Sequence, residues 1–123
     1  MTEKHEAVVV TREDIIRILV AWQAGELGAK EVHAWAEDRY ATSNFEIEEE
    51  DEVAQEVLSN LDCLDVNLTT LEDVPTFLEM LRLPKDQVEK ALVLLREYSN
   101  SVDMKERMRR YANDPFYGRF CGT

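Results

Sequence analysis

At 123 residues with 45% hydrophobic content, the chain is sized for a single domain that buries its own core without disulfides or metal. Four glycines and three prolines exclude a turn-dense all-β design and a low-complexity linker, and no run approaches the roughly 18–20 apolar residues that span a bilayer. The formal charge of −12 is unevenly placed, with 5 Lys/Arg against 20 Asp/Glu over residues 1–81 and 9 against 6 over 82–123, which disfavours nucleic-acid phosphates and anionic lipid as partners and favours a basic one.

Met1–Val10 places Glu3, Lys4, His5 and Glu6 before a short apolar run and lacks the apolar stretch of a secretory signal. Cys63 and Cys121 form no C-x-x-C pair, and the expectation is a cytoplasmic protein with reduced thiols. Thr11 is a cap followed by Glu13 and Asp14. Ile15, Leu19 and Trp22 then share one face and Gly25 supplies a stop, so the first helix is expected over 12–24. Gly28 caps a second helix over 29–41 with Val32, Trp35, Ala36 and Tyr40 as its stripe; the short connection makes the two an antiparallel pair with Trp22 and Trp35 in the core between them.

Residues 41–47 read as a connection. Glu48–Glu52 are five successive acids, after which Val53, Val57, Leu61 and Leu64 give a third helix over 48–64. Thr70 caps a fourth over 71–82, with Glu72 and Asp73 in its first turn and Pro75 tolerated there. Pro84 starts a fifth over 85–98 with Val88, Leu92 and Leu95 on its stripe and Ala91 and Tyr98 beside it. Residues 99–103 interrupt the pattern, and Met104, Met108 and Tyr111 repeat among Lys105, Arg107, Arg109 and Arg110 as a sixth, basic helix. Residues 1–10 and 113–123 carry no period and are expected to be irregular, the latter a strap that packs or frays. The fold expected is all-α, one antiparallel bundle of five or six helices over 1–123.

Chemistry-bearing constellations are few. His33 and Glu37 lie one turn apart, a spacing that orients an imidazole or supplies two metal ligands, so a small metal-binding domain or enzyme using this pair is the alternative function. Zinc sites need three or four protein ligands, and the other histidine, His5, sits in the N-terminal segment. The acids from Glu46 lack the alternation and glycine of a calcium loop, and no phosphate-cradling glycine motif occurs. Neither a catalytic residue, a metal nor a cofactor is assigned.

What remains is the acidity itself: Glu46, Glu48, Glu49, Glu50, Asp51, Glu52 and Glu56, with Asp62 and Asp65 further along. Three readings compete: a solvated face that confers solubility, a face covered internally by Arg107, Arg109 and Arg110, and a binding surface for a basic protein whose encounter it accelerates. The segment Ile18–Tyr40, with Trp22, Gly25, Glu26, Leu27, Trp35 and Tyr40, resembles the opening helical pair of bacterial immunity proteins of the colicin-D type. The resemblance covers about a fifth of the chain, which is longer than those proteins and carries a basic C-terminal third; a D-S-P-E-G-I signature of the DNase immunity proteins is absent. It implies a helical cytoplasmic protein that inhibits a basic nuclease toxin through an acidic surface.

Overall fold

The computed structural model describes residues 8–41, 45–47 and 51–118. The chain is a helical bundle, all-α in its bulk. Thr11 caps α1 (Arg12–Gln23) reciprocally: its hydroxyl accepts from the Asp14 amide at 3.1 Å, and Asp14 Oδ2 accepts from the Thr11 amide at 3.1 Å. The helix closes at Gly25, φ +82°, whose amide donates to the Trp22 carbonyl while the Glu26 amide reaches Ala21. Those crossed bonds need a left-handed residue, which glycine adopts without steric cost. Gly28 precedes α2 (Ala29–Ala41), and its amide donates to Glu31 Oε1 at 2.9 Å.

The expected connection over 41–47 and the expected irregular N-terminus both contain a short strand: β1 (Val8–Val10) and β2 (Phe45–Ile47) pair in parallel, Val8 opposite Phe45 and Val10 opposite Ile47. Three residues are too few to display a period of two, which is why pattern alone misses them. α3 (Glu52–Asp62) is shorter than expected. Asp51 is its N-cap, accepting from the Ala54 amide at 3.2 Å, and residues 48–50 lie outside the described residues.

Thr70 caps a single 3-10 turn (Leu71–Asp73) that leads into α4 (Val74–Arg82), with Pro75 in its first turn. Residues 84–87 form a turn closed by the Gln87 amide on the Pro84 carbonyl, so α5 (Val88–Ser101) begins three residues later than expected and runs three further. The interruption narrows to Val102 and Asp103, whose carboxylate caps α6 (Met104–Arg110). The core joins Ile15, Leu19 and Trp22 with Val32 and Ala36, the α3 stripe, Phe77, Leu78 and Leu81 of α4, and Tyr117. One stripe is turned: on α5 the buried residue is Ala91, flanked by Val88, Leu94 and Leu95, whereas Leu92 is half-buried and outside the core. The tail packs as a strap as far as Gly118, with Tyr117 3% exposed and its hydroxyl donating to the Thr69 carbonyl; residues 119–123 lie outside the described residues. Among the described residues no helix is long and apolar enough to cross a membrane.

Candidate functional site

The acidic run divides by position. Asp51, expected to face a partner, is 8% exposed and committed within the fold. Arg12 Nε and Nη2 donate to its two oxygens at 2.5 and 3.0 Å, while Arg12 Nη1 donates to the carbonyls of Leu81 and Leu83 at 2.9 and 2.8 Å. Burial by itself pushes the Asp51 carboxyl up. The Arg12 and Ala54 hydrogen bonds and the charges of Arg12 and Lys85 outweigh that and hold it below the ordinary aspartate value. A cation in the first turn of its own helix is disfavoured by the helix dipole, and that anomaly at Arg12 is the one sign in the sequence of a distant partner, which the periodic pattern passed over.

Glu52 and Glu56 stand exposed on α3, and among the described residues neither forms an ion pair. With Gln55, Ser59 and the half-buried Leu92 of α5 they line an open groove of about 370 Å³. The groove sets two carboxylates beside one apolar side chain, Leu92, a combination suited to the head and stem of a long basic side chain. Asn60 Nδ2 donates to the Glu56 carbonyl at 2.8 Å and to Oε2 at 3.3 Å, which steadies one of the two. Glu46 lies on β2, and Glu48, Glu49 and Glu50 fall outside the described residues. Leu92 belongs to this site although the helical period assigned it to the core.

Of the C-terminal arginines Arg107 turns inward and Arg110 pairs at the surface, both onto acids outside the α3 run. Arg107, 3% exposed, donates to Asp73 at 2.9 Å, and Arg110 to Glu72 and Glu106, while Arg109 stays exposed. The Arg110 hydrogen bond first, then the charges of Arg107 and Arg110, hold Glu72 below its ordinary value against its partial burial.

His33 and Glu37 share a groove of about 560 Å³ with Lys30, Asp65 and Phe116. His33 Nε2 lies 3.0 Å from the Asp62 carbonyl, to which it donates, and 3.6 Å from Asp65 Oδ1; the Phe116 ring meets it edge-on at 5.7 Å. Among the described residues no group of three His, Cys, Asp or Glu is arranged to hold a metal ion. Burial, with Glu37 and Asp65 nearby, raises the Asp62 carboxyl in spite of His33. Burial, then Asp62 and Asp65, pushes the Cys63 thiol up, the reverse of what a nucleophilic thiolate requires. No protein-family model matches the chain, and neither do the curated proteins or the solved structures.

Proposed function

We propose that the protein is a non-catalytic, cytoplasmic binding protein whose α3 face meets a basic protein partner and inhibits or regulates it. The observation that carries this reading is the pairing of Glu52 and Glu56, exposed and without a cation among the described residues, on a groove that Leu92 also lines. The exposed charge attracts and orients a basic surface during encounter, and Leu92 adds an apolar contact once docked. The resemblance over Ile18–Tyr40 makes a nuclease toxin domain one candidate partner. The alternative built on His33 and Glu37 is weaker, since the imidazole already donates to a backbone carbonyl.

Affinity capture from the native host tests the proposal, using the wild-type chain beside a variant with Glu48, Glu49, Glu50, Glu52 and Glu56 replaced by Gln. The expected outcome is a basic protein retained by the wild type at about 0.1 M salt, released near 1 M where the Debye length falls to about 3 Å, and retained poorly by the variant. Glutamine keeps the side-chain size and most of the helix propensity, so at about 0.5 M salt, where charge repulsion is screened, the variant's thermal melt should match the wild type. Equal recovery by both proteins, with equal melts, would reduce the acids to a solubility device.

A further inference from the structure

A cleft of about 280 Å³ lies where the 63–70 connection meets α4, α5 and α6. Phe77, Leu95 and Met104 give it apolar walls, and the exposed Asn67 and Ser99 on its lining are uncharged. Its two charged lining residues neutralise each other. Arg107 Nη1 donates to Asp73 Oδ2 at 2.9 Å and to the Leu68 carbonyl at 3.2 Å, and Tyr98 Oη donates to Asp73 Oδ1 at 2.5 Å.

Two anomalies converge on this place. Arg107 Nε is fully buried, in a side chain 4% exposed, and has no hydrogen-bond partner among the described residues. An unpaired N–H on a buried guanidinium is a costly omission, because the group loses water and gains nothing in return. Leu68, whose carbonyl that same guanidinium holds, is buried at φ +56°, a conformation that a bulky residue adopts only under constraint.

We propose that this cleft binds a neutral planar ring carrying a carbonyl or carboxamide, of nucleobase or nicotinamide size, with its oxygen directed to Arg107 Nε–H. Size follows from volume, since the cleft falls just under the roughly 300–1,000 Å³ of sites for drug-sized ligands and holds a single ring. Neutrality follows from electrostatics: an anion meets Asp73 and the neighbouring Glu72, a cation meets Arg107, and the compensated pair favours neither. The need for an acceptor follows from the orphaned donor, with the Asn67 amide and Ser99 hydroxyl able to orient the rest of the ring. Nε–H is closed from solvent, so a ligand oxygen reaches it only after a side-chain shift at the cleft lining. None of this depends on the role of the α3 acids.

Titration of the full chain with nicotinamide and uracil, followed by proton–nitrogen correlation spectra that include the arginine side-chain Nε–H, tests the proposal. Inorganic phosphate and acetate serve as the charged comparison. The expected result is saturable binding of at least one neutral ring, with a dissociation constant on the order of 1 mM, as suits about nine non-hydrogen atoms. The Arg107 Nε–H resonance should shift and its exchange with solvent should slow. Because Arg107→Lys keeps the charge but loses the fork that holds Asp73, Glu72 and the Leu68 carbonyl together, and so can unfold the chain, the second variant is Ser99→Phe, which fills the cleft from an exposed position. It should weaken binding at least tenfold and leave the melt unchanged. Binding by phosphate as tight as by either ring, an unmoved Nε–H resonance, undiminished affinity in Ser99→Phe, or no saturation by any neutral ring would each overturn the assignment.

Discussion

Arg12 gathers three chain segments with one guanidinium: its own helix, the start of α3 through Asp51, and the end of α4 through the carbonyls of Leu81 and Leu83. Those carbonyls carry the negative end of the α4 dipole, which offsets the unfavourable position of Arg12 at the start of α1. Replacing Arg12 by Met leaves a buried carboxylate and two carbonyls without their donor. The expected loss is about 3–5 kcal/mol, a large part of a total of about 6–18 kcal/mol for this length, read from urea melts. Protonation offers a gentler probe of the same contact. Because the folded chain holds the Asp51 carboxyl below its ordinary value, its contribution is complete above about pH 4 and is lost as pH falls through the folded value. Melts between about pH 6 and pH 2 should therefore show a shallower acid loss in Asp51→Asn than in the wild type, from a lower starting stability. Asp62 has the opposite sign: its carboxyl is raised by burial, so its ionised form disfavours folding, and Asp62→Asn should stabilise the chain at neutral pH with the benefit vanishing in acid.

Among the helices, α3 and α5 separate what a period can decide from what it cannot. Leu61 is wholly buried, and Leu61→Ala should cost about 2–5 kcal/mol by leaving a cavity. Leu92, half-buried and outside the core, should cost under about 1 kcal/mol as Ala, because little surrounds the space it vacates. In sequence the two are indistinguishable: residues 88, 91 and 95 and residues 88, 92 and 95 both fit one helical face, and only packing on α4 chooses between them. Capping behaves differently. Thr11, Gly25, Gly28 and Thr70 act on backbone groups within a few residues, so their helix ends were legible. Asp51 also acts locally, yet it stands in a run of five acids, and what distinguishes it is an arginine 39 residues away. The cleft was hidden for the same reason, since a buried Arg107 and an exposed Arg109 read alike in a basic helix. The strap ends on a tight contact: a Cβ on Gly118 would sit 2.6 Å from the Ala112 carbonyl oxygen, closer than backbone tolerates. Gly118→Ala should loosen Tyr117 from the core and weaken its near-ultraviolet dichroism while the far-ultraviolet helix signal persists.

At the scale of the whole molecule the charge imbalance acts on folding and on association with opposite signs. A chain of formal charge −12 repels itself when compact, and at about 0.01 M salt the Debye length of about 30 Å lets each exposed acid feel most of the others. Against this stand exposed pairs such as Arg17–Asp14 and Arg110–Glu106, which are worth little in water, and the buried pairs Arg12–Asp51 and Arg107–Asp73, which salt screens far less. Added salt therefore removes more repulsion than attraction. The melting temperature of the isolated chain should rise between about 0.01 and 0.5 M sodium chloride, and the five-glutamine variant, already relieved of five charges, should rise less. The same salt should slow association with a basic partner, since it screens the attraction that steers encounter. Calorimetry and association kinetics across one salt series measure both slopes. A melting temperature that falls with salt would mean that ion pairs stitch the acidic face to the chain's own cations, leaving little free charge to steer a partner.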